Sequence, residues 1–199
     1  MGEETTDAAS DVKRGKRSDA ARNQRLLLRA AMEVFNESGV NAPVRAIADR
    51  AGVGVGTLYR NYPQRADLIV AVLKSQIDDF ADAATAIVSQ CAPSEALDRW
   101  VDRYVEFIMA KRGLSTALQA ENATHASLHD YFYGRLSPPL ATLLALAIEH
   151  QVIRAGYGAD ELLRAIATLC KAAPEGATDE SHKMVALLVD GLRCSAVRT

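Results

Sequence analysis

Arg45, Gly56, Thr57, Arg60 and Asn61 lie close together in the chain, and their types suit contact with a polyanion. A guanidinium can donate two parallel bonds to a phosphate or a guanine edge, hydroxyl and amide groups reach phosphate oxygens, and glycine allows close backbone approach. Such groups work only when a frame holds them on one side. The residues between them supply that frame. Val44, Ile47, Ala48 and Ala51 recur at helical spacing, Gly52 ends that helix, and Val53 plugs the gap before a second helix over 55–62. Too short to be stable alone, the second helix must be held through Leu58 and Tyr62, which turns Gly56, Thr57, Arg60 and Asn61 outward. Pro63 forbids continuation. Helix, tight turn and short helix in this order imply a helix-turn-helix of the DNA-reading kind. Arg45, Asp49 and Arg50 are left for solvent or phosphate.

The net charge of −2 hides an asymmetry. Residues 1–11 hold four acids and no base; residues 12–65 hold eleven Lys and Arg against Asp19, Glu33, Glu37 and Asp49; residues 66–199 hold twelve bases against seventeen acids. The basic block coincides with the helix-turn-helix, as binding to a polyanion requires. Lys13, Arg14, Lys16 and Arg17 lie in a polar, aperiodic segment, residues 1–17, expected to be a flexible arm.

A chain of 199 residues that is 49% apolar can bury a sizeable core. No run approaches the roughly 18 apolar residues of a membrane span, and the acidic start lacks the apolar region of a secretory signal. A cytoplasmic protein without membrane partners is expected. Cys91, Cys170 and Cys194 are odd in number and widely spaced, which suits buried thiols rather than disulfides or a zinc knuckle.

A first helix over 20–38 buries Leu27, Ala30, Ala31, Val34 and Phe35 and opposes Arg22, Arg25 and Arg29. Gly39 ends it, and Pro43 fits the opening of the next helix. Long helices follow over 65–90 and 94–111, then shorter ones over 113–120, 125–134, 139–153, 160–173 and 179–196. Gly113, the pair Pro138-Pro139, Gly156-Tyr157-Gly158 and the stretch from Pro174 to Thr178 are read as separators. No segment alternates with period two, so the fold class is all-α. The arm is followed by a three-helix head over 18–64 and a larger helical body over 65–199.

The run from Ala51-Gly52-Val53 through Gly56-Thr57-Leu58-Tyr59 to Tyr62-Pro63, followed by Arg65 and Leu68, resembles the signature of the TetR-like bacterial transcriptional regulators. Ala30, Ala31, Phe35, Ile47 and Ala48 match around it. Lys111-Arg112-Gly113-Leu114 and the two-proline break resemble the SbtR-like branch. Ala42-Pro43 and Gly54 depart from the pattern, standing where hydroxyls often cap a helix or touch a phosphate, and Asn61 replaces a common histidine. The resemblance implies a homodimer that binds palindromic double-stranded DNA, usually as a repressor. It also implies release when a small-molecule effector enters the helical domain, which would then serve ligand binding and dimerisation.

On that footing the expected DNA contacts are Arg45, Gly56, Thr57, Tyr59, Arg60, Asn61 and Arg65. Arg60 is the candidate for a guanine edge, and Tyr59, Asn61 and Arg65 for phosphates, the last near the start of a helix whose amides favour an anion. Trp100, Tyr104, Phe107, Met109, Tyr131 and Phe132 are candidates for an apolar effector pocket, against the simpler reading as core. Leu162, Ile166 and Leu169 with Val185, Leu188 and Leu192 form stripes fit for a four-helix dimer interface, against burial within one subunit. Glu121, His125 and His129 sit four apart, but Asn122 and Thr124 interrupt the helix that would align them, so no metal is expected. The glycines at 52, 54 and 56 lack the strand and spacing of a nucleotide cradle, and no catalytic set stands out, so neither a cofactor nor enzyme activity is expected. Rival readings are an architectural DNA-binding protein without effector and an all-helical carrier or enzyme.

Overall fold

A computed structural model describes the backbone of residues 5–118, 122–174 and 176–193, and their side chains except at 5–21, 84, 88, 89 and 112–126. Among the described residues there are eight helices and no strand: α1 Thr5–Ser38, α2 Val44–Ala51, α3 Val55–Asn61, α4 Arg65–Gln90, α5 Pro93–Leu118, α6 Asn122–Glu149, α7 Ala159–Ala172 and α8 Thr178–Arg193. They pack as two compact units that divide between Ser75 and Gln76, inside α4.

The head buries Leu27, Ala31, Val34 and Phe35 of α1, Ile47 and Ala48 of α2, and Leu58 of α3. It reaches past residue 64, where the sequence reading ended it, because Leu68, Ile69, Val72 and Leu73 of α4 are also buried and belong to the same unit. Each such side chain contributes about 1.5–3 kcal/mol. The three helices α1 to α3 alone bury too little to be robust, and this addition supplies the missing core.

Residues 5–17, expected to form a flexible arm, are helical and continue α1 toward its start. The segment has no proline, and adding residues to a helix already nucleated by packing at Leu27 to Phe35 avoids the nucleation cost. The side chains of Lys13, Arg14, Lys16 and Arg17 lie outside the described residues.

Two expected breaks in the body are absent. Gly113 lies within α5; glycine there costs about 1 kcal/mol relative to alanine. Buried Leu97, Trp100, Val101, Tyr104 and Val105 on the same helix outweigh that cost. Pro138 and Pro139 lie within α6, although an interior proline loses an amide and crowds the carbonyl four residues back, at about 3 kcal/mol. Leu136 before the pair and Leu140, Leu143, Leu144 and Ala147 after it share one core. Continuous burial on both sides keeps the helix whole.

Candidate nucleic-acid interface and effector domain

The turn between α2 and α3 is set by its backbone. Gly52 adopts φ 67°, ψ 30°, a left-handed conformation that a side chain makes costly. Its N–H donates to the Asp49 carbonyl at 3.3 Å, and the Val53 N–H donates to the Ala48 carbonyl at 3.0 Å, closing the end of α2. Gly54 is extended and caps α3 without a side-chain hydrogen bond, and Pro43 likewise gives α2 no side-chain cap. Leu58 and Tyr62 turn inward and are buried. Gln24 of α1 donates from Nε2 to the Tyr62 hydroxyl at 3.2 Å, tying the end of α3 to α1.

The opposite face of α3 is open. Gly56, Arg60 and Asn61 are exposed, Thr57 is half-buried, and Tyr59 keeps 52% of its surface in solvent. Arg60 lies back along its own helix, donating from Nε to the Gly56 carbonyl at 3.2 Å and from Nη2 to Thr57 Oγ1 at 3.4 Å. Asn61 Nδ2 donates to the Thr57 carbonyl at 2.8 Å. The Arg60 bonds are long, local and wet, so the guanidinium can leave them at little cost. Arg45 is exposed on α2.

Arg50 and Arg65 of the basic block tie distant segments of the head together. Arg50 donates to Glu37 through two bonds, at 3.0 and 2.7 Å, and approaches Glu33 at 3.4 Å, bracing α2 against α1. The hydrogen bond from Arg50 holds the Glu37 carboxyl below its usual range. Sequence reasoning left Arg50 for solvent or phosphate; acids on α1 were the available signal for this brace. Arg65, expected at a phosphate, is half-buried and donates to the carbonyls of Val40 and Ala42.

In the body, Trp100 and Tyr104 are fully buried, and Phe107, Met109, Tyr131 and Phe132 are half-buried against the same core. Trp100 and Tyr104 lie 5.1 Å apart between ring centroids, and Tyr104 and Phe132 lie 6.1 Å apart. Phe80 of α4, which is not among the expected pocket residues, joins them: its ring lies 5.5 Å from Trp100, 5.9 Å from Tyr104 and 5.1 Å from Phe107. Tyr104 donates to the Leu163 carbonyl at 3.3 Å, and burial pushes its phenol well above the usual range. Trp100 Nε1 is buried with no hydrogen-bond partner.

The other two candidates turn to separate partners. Tyr131 donates its hydroxyl to Asp78 at 2.7 Å, beside Arg135, whose Nε also reaches Asp78, at 2.6 Å. Met109 accepts a 3.5 Å hydrogen bond from buried Ser181.

Of the residues expected at a dimer interface, Leu162, Ile166, Val185 and Leu192 are buried within the subunit, and Leu169 and Leu188 are half-buried against the same core. Their stripes face inward because α7 and α8 close over α5. The apolar surface that α8 leaves outside is Met184, 45% exposed, and Leu187, 68% exposed, flanked by half-buried Leu188 and exposed Gly191. Among the described residues no three His, Cys, Asp or Glu are gathered to hold a metal. His129 stacks on Tyr133 at 4.6 Å, while Glu121 and the His125 side chain lie outside the described residues.

Comparison with known proteins places this architecture. Residues 27–72 match the family described as bacterial regulatory proteins, tetR family, and residues 92–194 match the family described as transcriptional regulator SbtR-like, C-terminal domain. The chain belongs to the TetR family, in its SbtR-like branch. This TetR-family regulator is 28% identical to an HTH-type transcriptional regulator of Staphylococcus aureus strain USA300 over 127 residues, covering 59% of this chain and 69% of the relative. Its fold matches a TetR transcriptional regulator from Streptomyces coelicolor with TM-score 0.68 and 29% identity, over 85% of this chain and 98% of the other. A TetR regulatory protein from Mycobacterium vanbaalenii matches with TM-score 0.67 and 30% identity, over 89% and 98%. RolR, solved in complex with its ligand resorcinol, shares the fold at 19% identity, with TM-score 0.60 over 92% and 97%.

Proposed function

We propose that this TetR-family regulator is a repressor that binds a two-fold-symmetric operator as a homodimer in the cytoplasm and releases it when a small molecule enters the body, with no enzymatic step. The observation that carries the reading is the outward face of α3. It presents Gly56, Tyr59, Arg60 and Asn61 to solvent on a helix whose other face is locked through Leu58 and Tyr62. With Thr57 at its edge and Arg45 on α2, that face suits base edges and phosphates together.

A homodimer is supported by the stripe Met184, Leu187, Leu188 and Gly191, whose spacing of three, four and seven puts one apolar face of α8 in reach of a second copy. An effector is supported by the ring cluster around Phe80 and by the buried, unpartnered Nε1 of Trp100, which would welcome a hydrogen-bond acceptor. Resorcinol, the ligand in RolR, is a ring compound with oxygen acceptors. No described helix is long and apolar enough to cross a membrane.

The test is selection of the purified chain against a random duplex pool at near-physiological salt. Enrichment of a two-fold-symmetric site supports the regulator. Binding without enrichment would support an architectural protein, and no binding would turn attention to a carrier or enzyme.

A further inference from the structure

Arg65 opens α4 directly after the helix-turn-helix, where an arginine invites assignment to a phosphate. Its guanidinium is occupied elsewhere: Nη1 donates to the Val40 carbonyl at 2.5 Å and Nη2 to the Ala42 carbonyl at 2.8 Å. Those carbonyls belong to the connection between α1 and α2, 25 and 23 residues earlier in the chain. Irregular backbone of this kind has no helical ladder to satisfy it. Ala42 is buried and Arg65 half-buried, so both bonds are partly withdrawn from water. Pro43, the next residue, starts α2 with no side-chain cap. The connection therefore has little of its own to fix how α2 begins.

We propose that Arg65 is a positioning residue for DNA binding: by clamping the carbonyls of Val40 and Ala42 it fixes the start of α2, and with it Arg45, against the start of α4, and it does not itself hold a phosphate. The inference rests on the DNA-binding reading above. A planar guanidinium serves two carbonyls at once through separate nitrogens, whereas a lysine ammonium is a point charge that satisfies one such geometry well and two poorly. To reach a phosphate, Arg65 would have to abandon both carbonyls. Because α4 runs on from the head into the body, the clamp also makes the start of α2 follow any movement of the first turn of α4.

The test compares the full chain with Arg65→Lys and Arg65→Gln on the selected duplex, measuring affinity across a salt series beside thermal unfolding. Positioning predicts that both variants stay folded and bind about tenfold more weakly or worse. It also predicts that the two variants share one slope of log affinity against log salt, since lysine and glutamine lose the clamp alike. A direct phosphate contact predicts a slope reduced by about 0.9 in Arg65→Gln and affinity restored in Arg65→Lys, and that pattern overturns the proposal. So does a lower unfolding midpoint with unchanged affinity of the folded protein, which would make Arg65 merely structural.

Should both variants fail to fold, the guanidinium 15N resonances of Arg65 in the wild-type chain decide. Resonances that are slowly exchanging and unmoved by duplex support the clamp, and a shift on binding overturns it. Wild-type protein that binds no duplex at all would fail the DNA-binding reading itself, and this inference with it.

Discussion

Arg60 in the head and Tyr104 in the body each donate a long hydrogen bond, 3.4 Å to Thr57 Oγ1 and 3.3 Å to the Leu163 carbonyl. On the open face of α3, water can replace what Arg60 gives up, so the bond costs little to break and the side chain is available to a partner. Within the body, Tyr104 is fully buried away from bulk solvent, so its bond guards against an unsatisfied hydroxyl, at about 1–3 kcal/mol. The same geometry marks a movable group in one place and a fixed one in the other. Distance alone does not separate a functional side chain from a structural one; the solvent around it does.

Truncation in the body should produce the largest effect. Trp100→Ala is expected to cost about 3–5 kcal/mol of stability, read as a lower urea midpoint, because Phe80 and Tyr104 both lean on the indole. A loss below 1 kcal/mol would break the contrast. Arg60→Ala should behave the other way: an unchanged unfolding midpoint, with preference at one base position relaxed by about 1–3 kcal/mol. Repeating the duplex selection with the variant reads this directly, and a uniform loss across sequences would demote Arg60 to a phosphate contact.

Gly54→Ser sharpens the comparison within the head. The backbone at Gly54 is extended, and the nearest atom to an added Cβ is Thr57 Oγ1 at 4.0 Å. The hydroxyl should therefore cap α3 and raise stability by a few tenths of a kcal/mol, measured by thermal unfolding. No gain would mean that the amides opening α3 are already satisfied.

The smallest effect concerns pH. Glu37 titrates lower in the folded head than in the unfolded chain, owing to its hydrogen bond from Arg50. Its contribution is present above the ordinary carboxylate pKa and fades as pH falls through the lowered folded value. Unfolding midpoints measured from pH 6 down to pH 3 should therefore fall slightly more steeply for the wild type than for Glu37→Gln. Parallel curves would remove the brace from the stability of the head.

What could be read from the sequence followed the range of the interaction. Leu58 and Tyr62 inward, and Gly52 at the turn, follow from local periodicity and backbone need, and the structure buries or bends each accordingly. The partners of Arg50 and Arg65 lie 13 to 25 residues away and depend on how helices meet, which periodicity does not encode. Pro138-Pro139 misled because local propensity argues for a break, while the core of the body reaches across it. On α8 both Val185 with Val189 and Met184 with Leu187 form apolar stripes. Only packing reveals which of them its own subunit has claimed.

Trp100 is the one tryptophan of the chain, and it lies in the body, whereas the head carries tyrosines such as Tyr59 and Tyr62. Light at the red edge of protein absorption therefore excites the body alone, and the head is dark in that channel. The molecule thus holds its own reporter of communication: any change in indole emission on adding operator to the head would be a signal that had crossed from one unit to the other.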